Sequence, residues 1–127
     1  MLCISGCGGG AAEQPNNAQI CSLYASGRSG VEVIGQGTVL AVIGTHAGPS
    51  GEHEGFLVKL ERQCDLLLRI EANVGITGSI PLHEGETVTV KGQFEDDPTG
   101  GMIHWTHHDP AGRHVAGYVI AGGKIYQ

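Results

Sequence analysis

Histidine is the chemically versatile residue type that this sequence overuses. The chain has 7 His among 127 residues, and five of them lie between His83 and His114. The densest segment, residues 104–114, reads His-Trp-Thr-His-His-Asp-Pro-Ala-Gly-Arg-His. Imidazole together with carboxylate suits a divalent transition metal, and a histidine that titrates near neutral pH suits acid–base catalysis. Residues 104–114, here called the histidine block, are therefore the first candidates for a functional site.

The spacing within the histidine block limits which side chains can meet. If residues 102–108 form an extended strand, His104 and His108 share one face but lie ~13 Å apart, too far to bind one ion without a bend. His108, Asp109 and His114 are better placed, because the Pro-Ala-Gly sequence after Asp109 predicts a turn. The turn would bring the end of the block back over the strand end.

A metal site is one interpretation of the block. His108, Asp109 and His114 would supply imidazole and carboxylate ligands, and His53 or His46 would arrive from a polar, Gly- and Pro-containing loop at residues 45–54. The predicted cofactor is accordingly a divalent metal ion, with His53, His108, Asp109 and His114 as its ligands.

Two other interpretations stay open. In a catalytic site, one histidine would transfer protons near neutral pH while Arg113 clamps an anionic oxygen. In a structural interpretation, Trp105 belongs to the core, His107 is a buried and hydrogen-bonded imidazole, and Asp109 accepts hydrogen bonds in a turn.

The elements that must position these residues are mainly short strands with alternating apolar residues. A short helix beginning at Asn16 or Asn17 and ending before Gly27 precedes them. Residues 73–85 are irregular, with room for one helical turn. The predicted strands cover residues 31–43, 56–60, 66–70, 87–94 and 102–108, followed by a hairpin of residues 118–120 and 124–126.

Composition agrees with a small β protein. The chain contains 22 Gly and only 16% charged residues, which disfavours long surface helices. Five or more coiled strands with glycines inside them predict an all-β fold, or β with one short helix: a small OB-like Greek-key barrel behind a short N-terminal helix. An open β-sandwich is the competing architecture. The net charge of −6 argues against tight, nonspecific nucleic-acid binding, which depends on neutralising phosphates.

The N-terminal residues resemble the end of a bacterial lipoprotein signal. Ile4-Ser5-Gly6-Cys7 is similar to a lipobox, which implies lipidation of Cys7 and an exported, periplasmic or membrane-anchored protein. Only six residues precede Cys7, so we expect a start further upstream or a trimmed chain. A Gly-rich tail with an incidental cysteine is the alternative. We assign residues 1–15 to the signal end and tether, and residues 16–127 to the barrel.

Export bears on two further cysteines. In an exported protein, Cys21 and Cys64 are the obvious disulfide pair. Two buried thiols, or a metal-binding pair, are the alternatives; neither cysteine belongs to a C-x-x-C motif, which disfavours metal.

Two resemblances carry further expectations. The histidine block, with Gly35-Gln36-Gly37-Thr38-Val39 and the final Gly123-Lys124-Ile125-Tyr126-Gln127, resembles a family of small exported bacterial proteins described as a domain of unknown function. It covers roughly residues 31–127 and implies a family without implying an activity.

The second resemblance implies chemistry. Asp109-Pro110-Ala111-Gly112-Arg113, then Tyr118-Val119 and Gly123-Lys124, is similar to a stretch of staphylococcal-nuclease-like OB barrels. It implies that Arg113 stabilises a phosphoryl transition state while Asp109 shapes the loop. The calcium-binding carboxylates and second arginine of that family are missing from the first three strands, where Glu71 is a stray counterpart.

The predicted function is therefore hydrolysis of a phosphodiester, such as nucleic acid, or of another anionic substrate. Arg113 would stabilise the developing charge, His108 and His114 would act as metal ligands or as an acid–base pair, and Asp109 would orient them. The alternative is a non-catalytic module that binds a metal ion or an anionic oligomer. The expected partners are an anionic small molecule or nucleic acid, with membrane contact only through a lipid anchor.

Overall fold

The computed structural model describes residues 13–60 and 64–127. The predicted lipidation residue Cys7 lies outside the described residues. The elements, in chain order, are α1 (Asn17–Ser26), β1 (Val31–Gly48), β2 (Gly51–Leu60), β3 (Leu67–Asn73), α2 (Val74–Thr77), β4 (Thr87–Glu95), β5 (Met102–His104), β6 (Tyr118–Ala121) and β7 (Lys124–Tyr126).

The predicted N-terminal helix is α1. Its N-cap is Asn16, whose side chain accepts a hydrogen bond from the Gln19 backbone N–H at 3.1 Å. Gly27 ends the helix in the left-handed conformation, with φ +67°, which a residue without a Cβ adopts at little cost. Ile20 and Leu23 are buried and pack with the barrel core, so one face of the helix covers the sheet.

The strands form one sheet that closes on itself. The order is β1-β2-β3-β5-β4-β6-β7, and an additional pairing between β1 and β4 closes the first five strands into a ring. Strands β3 and β5 run parallel, and the other neighbours run antiparallel. The prediction of an all-β, small barrel-like fold behind a short helix is confirmed. The barrel is irregular, because its fifth strand has only three residues and the β6–β7 hairpin continues beyond the ring.

Alternation along β4 matches the predicted pattern. Val88, Val90, Gly92 and Phe94 are buried, whereas the residues between them are partly exposed or exposed. Their inward face joins the apolar core that fills the barrel. The sequence periodicity therefore identified the inner face of this strand correctly.

The loop predicted over residues 45–54 is wrong. Strands β1 and β2 run on as a long hairpin arm, in which His46 pairs with His53 and Gly48 pairs with Gly51. The arm extends past the barrel, so most of its side chains have no core to face and the apolar alternation fades there. Without alternation, periodicity cannot detect a strand.

The strand predicted over residues 102–108 ends early, at His104. Trp105 has φ +56°, a left-handed conformation that interrupts an extended strand. Strand β4 then continues along the same edge with another partner: Gln93 pairs with His104, and Lys91 pairs with Tyr118. Residues 105–117 therefore form a loop, here named the excursion loop. It leaves the sheet opposite Gln93 and returns to it opposite Lys91.

The neck of the excursion loop leaves no room for a side chain at Gly117. A Cβ there would lie 2.5 Å from the carbonyl oxygens of both Lys91 and Trp105. The Gly117 N–H donates to the His107 carbonyl at 2.9 Å. Close backbone approach at a glycine thus brings the two ends of the loop together.

The Cys21–Cys64 disulfide is present, with its Cα atoms 6.2 Å apart. It ties α1 to the segment that precedes β3, across 43 residues of sequence. Within the described residues, no helix has the length and apolarity needed to cross a membrane.

Candidate functional site

A cleft of about 230 Å³ opens where the tip of the β1–β2 arm faces the excursion loop. The ends of β3 and β5 form its floor. Four of the seven histidines contribute to its wall, so the structure gathers imidazoles here from three parts of the chain. The lining residues are His46, Gly48, Pro49, Ser50, His53, Glu71, Asn73, Met102, His104, Trp105 and His107.

Three aromatic rings stack at the base of the excursion loop. The Trp105 indole lies between the imidazoles of His104 and His114, with ring centroids 4.6 and 5.0 Å away and planes within 12° of parallel. His107 meets the His114 ring edge-on at 4.9 Å. The Trp105 indole is thereby stacked on two imidazoles of its own chain. It is also 39% exposed, not the core residue of the structural interpretation.

Asp109 organises the far end of the loop. Its carboxylate accepts hydrogen bonds from the backbone N–H groups of Ala111 and Arg113 at 3.0 and 2.7 Å, and the Arg113 Nε lies 3.4 Å away. Burial acts to raise the pKa of Asp109, but these donors outweigh it and hold the pKa below its ordinary value. The Asp109 side chain is therefore a charged, buried anchor of the turn.

Hydrogen bonds to carbonyl groups fix the tautomers of two cleft histidines. A carbonyl oxygen can only accept, so the ring nitrogen that faces it must carry the proton. His107 Nδ1 donates to the His108 carbonyl at 2.7 Å, and His53 Nδ1 donates to the Gly51 carbonyl at 3.0 Å. In the neutral rings, Nε2 of each histidine then carries a lone pair. At His53 this nitrogen lies 3.3 Å from the Ser50 hydroxyl, which can donate to it.

His107 stays neutral at pH 7. Burial lowers its pKa below the ordinary value of 6.5, an effect that the hydrogen bond to the His108 carbonyl only partly opposes. The residue is 7% exposed, so charging the ring would cost desolvation energy that the neutral form avoids.

Carboxylates lie next to the other two cleft imidazoles. His104 Nε2 is hydrogen-bonded to Glu95 Oε2 at 3.2 Å, and His46 Nε2 lies 3.5 Å from Glu71 Oε1 as an ion pair. A carboxylate only accepts, so the neutral His104 ring presents Nδ1 as its lone-pair nitrogen. The second oxygen of Glu71 is bound by the Arg69 guanidinium.

Asn73 adds one more unsatisfied acceptor. It is 3% exposed, and its Nδ2 donates to the Ser50 carbonyl at 2.9 Å. Its Oδ1 is buried and has no hydrogen-bond donor in the described parts of the chain. A buried acceptor without a donor is costly, so a ligand that approaches Asn73 Oδ1 would relieve that cost.

Residues 3–127 match DUF3465, a family described as a protein of unknown function. The chain belongs to the DUF3465 family. Among curated proteins, no sequence matches it. The expected membership in a domain family of unknown function is thereby confirmed. The resemblance to staphylococcal-nuclease-like barrels has no such support and remains a prediction.

In this DUF3465 domain, the predicted site residues divide into two places. Asp109, Arg113 and His114 lie together in the excursion loop, where His114 Nε2 is 3.9 Å from Asp109 Oδ2. His108 is exposed on the same loop. His53 lines the cleft, whereas none of the other four does. The structure therefore does not gather the predicted set into one pocket.

No three His, Cys, Asp or Glu side chains in the described ranges are already arranged to hold a metal ion. The metal-ligand and catalytic roles predicted for His53, His108, Asp109, Arg113 and His114 stay predictions.

Sequence reasoning did not select His104 or His107, which both line the cleft of the DUF3465 domain, as candidate site residues. It also gave His46 and Glu71 only as marginal candidates. The signal that would have found His46 is its register opposite His53, which requires treating residues 45–54 as a hairpin. For His104 and His107 the signal is their position on either side of the only Trp of the chain, where the strand ends.

Proposed function

We propose that this DUF3465 domain is a non-catalytic module that binds a metal ion in the cleft. One observation carries the proposal: His53, His104 and His107 each have one ring nitrogen hydrogen-bonded to a protein acceptor, so the other nitrogen of each neutral ring carries a lone pair. The fourth cleft histidine, His46, has its Nε2 3.5 Å from Glu71 Oε1, an ion-pair distance.

This hydrogen-bond pattern is the one that metal-binding histidines adopt. Such residues almost always donate their second ring N–H to a carboxylate or to a backbone carbonyl, which fixes the ring orientation and raises ligand basicity. Here His104 faces the Glu95 carboxylate, and His53 and His107 face backbone carbonyls.

The same pattern disfavours the anionic partners predicted from the sequence. An anion needs N–H or O–H donors, and the imidazole N–H groups of the cleft already have acceptors. Glu71 adds negative charge to the cleft wall, and the nearby Arg69 guanidinium is bound to it. The chain as a whole carries a net charge of −6. A cation fits this environment better than a phosphate does.

Binding requires the donors to turn toward one point, since they are not yet arranged around an ion. The exposed side chain of His46 can supply part of that movement. It is half-exposed, with 50% of its area accessible, and its contacts among the described residues are the stacked His53 ring and the Glu71 carboxylate at 3.5 Å. Strand β5 holds His104, so a rotation of the His46 side chain toward the cleft would bring the two imidazoles nearer to each other.

Titration with Zn(II) and Co(II) tests this proposal. The full chain is used with Cys3→Ser and Cys7→Ser, because any thiolate at these positions would compete with the cleft for metal. Calorimetry gives the affinity, and the fluorescence of Trp105, the only Trp, reports occupancy of the cleft. We expect His46→Ala and His104→Ala to weaken binding at least about tenfold.

Two control variants separate the cleft from the site predicted by sequence. His83→Ala removes an exposed histidine outside the cleft, and His108→Ala removes a predicted ligand that does not line it. Both should bind like the parent chain. Loss of binding in His108→Ala with normal binding in His46→Ala would overturn the cleft assignment and support the predicted set.

Phosphodiester hydrolysis is a second candidate, favoured by the placement of Arg113. Its side chain is 83% exposed beside a buried carboxylate, and His114 lies next to the same carboxylate. A guanidinium so placed can meet an anionic substrate from solvent. Turnover of single-stranded DNA that disappears in Arg113→Ala, with metal binding retained, would support this candidate over the binding module.

We also propose that the protein is exported and anchored through a lipid on Cys7. The Cys21–Cys64 disulfide supports export, because disulfides persist mainly in oxidising compartments. Labelling of bacterial cultures with a fatty-acid analogue tests the anchor: incorporation should be lost in Cys7→Ser and retained in Cys3→Ser. Equal labelling of both variants would refute it.

A further inference from the structure

Met102 contributes a thioether to the wall of the cleft, beside four histidines. It lies two residues before His104 on β5, with the fully buried Ile103 between them. Alternation along the strand puts Met102 and His104 on the same outer face, about 7 Å apart. Ile103 serves the core, so core packing does not account for the Met102 sulfur in the cleft wall.

Apart from the Asn73 amide oxygen, the donors of the cleft are soft or borderline ligands. The carboxylate of Glu71 is bound by Arg69 and lies 3.5 Å from His46 Nε2, which leaves the imidazole nitrogens and the Met102 sulfur as the other donors. Thioethers select Cu(I) among biological metals, and imidazole also suits copper, whereas hard cations require oxygen ligands. The donor set is therefore poorly suited to calcium or magnesium.

Met102 and His104 together supply only two donor atoms from β5, a sulfur and a nitrogen. A closed-shell monovalent ion of the copper group tolerates low coordination numbers. Met102, with its flexible side chain, and His104 could hold such an ion together with one imidazole from the hairpin arm.

We infer that the cleft prefers a soft monovalent cation of the copper group, held by the Met102 sulfur and by imidazole nitrogens. This inference rests on the proposed metal-binding function and adds the class of ion. In an exported protein, such a site would meet copper outside the reducing cytosol, where the Cys21–Cys64 disulfide is also stable. The site binds the ion without any redox step.

Ag(I) is the probe of choice. It has the ligand preference of Cu(I) but needs no reductant, which would endanger the disulfide. Cu(I) supplied anaerobically as its acetonitrile complex serves as a second arm, and Zn(II) serves as the borderline comparison. All titrations use the full chain with Cys3→Ser and Cys7→Ser. The variants are Met102→Leu, which keeps size and apolarity, and His104→Ala.

The thioether should matter only for the soft ions. We expect Met102→Leu to weaken Ag(I) and Cu(I) binding by about tenfold or more while changing Zn(II) affinity less than about twofold. His104→Ala should weaken all three. In the parent chain, the ¹³C-methyl NMR signal of Met102 should shift on adding Ag(I) and stay in place on adding Zn(II).

Two failures can be told apart. If Zn(II), Ag(I) and Cu(I) all leave the cleft histidines unaffected, the proposed metal-binding function itself is wrong. If the ions bind and depend on His104, but Met102→Leu changes Ag(I) and Zn(II) affinity equally, the function stands and the preference for a soft ion is overturned.

Discussion

Replacing Gly117 by alanine should force open the neck of the excursion loop. The new Cβ would lie 2.5 Å from the carbonyl oxygens of Lys91 and Trp105 and 2.9 Å from the Thr106 Cα. Ordinary van der Waals contact begins near 3.4 Å, so both carbonyls must retreat by almost 1 Å. One carbonyl belongs to β4 and the other to the residue after β5, so the retreat separates elements that the sheet holds together.

The expected cost follows from what must move. Overpacking a well-packed interior costs typically 1–3 kcal/mol, and more when the structure cannot yield. All three close contacts of the new Cβ are backbone atoms, which cannot escape by changing rotamer. We therefore expect Gly117→Ala to lower the free energy of unfolding by about 3 kcal/mol, the upper end of this range. The total stability of a domain of this kind is roughly 5–15 kcal/mol.

Urea denaturation followed by Trp105 fluorescence measures this loss. The matched control is Gly112→Ala in the same loop, where a Cβ meets nothing within 4 Å but φ is +70°. That variant should lose only about 1 kcal/mol, the cost of a left-handed conformation for a residue with a Cβ. If Gly117→Ala loses no more free energy of unfolding than Gly112→Ala, the neck does not depend on close backbone approach and the reasoning is refuted.

Three further outcomes are expected. Cys21→Ser with Cys64→Ser should lower the free energy of unfolding by roughly 4 kcal/mol, the loop-closure entropy for a 43-residue separation; a loss under about 1 kcal/mol in chemical denaturation would contradict that account. Burial raises the pKa of Glu32, whose Oε2 finds no donor within the described residues. Because the folded protein holds the Glu32 proton more tightly than the unfolded chain does, the free energy of unfolding falls as the pH rises from about 4 through the folded-state pKa of Glu32. Glu32→Gln should therefore raise the melting temperature relative to the parent at pH 7, and not at pH 4. Asp109→Ala should speed tryptic cleavage after Arg113, because the backbone N–H groups of the turn lose their carboxylate acceptor. Unchanged cleavage would show that the turn keeps its conformation without the Asp109 side chain.

Regular alternation made most of the barrel predictable. Strand β4 buries every second residue, and the hairpin of β6 and β7 turns at Gly122 and Gly123 as expected. These elements lie where a core selects one face, and there a sequence pattern carries the information. Closure of the ring depends on pairing between β1 and β4, which follows from global topology more than from any local signal.

The cleft was much less predictable, because it forms where local patterns stop. The hairpin arm brings His46 and His53 opposite each other although its side chains show little alternation. At the other wall, a single left-handed residue, Trp105, diverts the chain out of β5. Propensity gives no warning of that conformation, since bulky residues rarely adopt it. The choice of His108 rested on the turn predicted after Asp109; the strand before that turn ends at His104 and not at His108.

The excursion loop gives the histidine block a physical role that needs no shared pocket. Asp109 fixes the turn that carries His114, and His114 packs on one face of Trp105. The other face of Trp105 supports His104, which lines the cleft. Through this stack, an anchor outside the cleft restricts the orientation of an imidazole inside it. Asp109 is thus a positioning residue, and its loss should weaken metal binding less than the loss of His104 does.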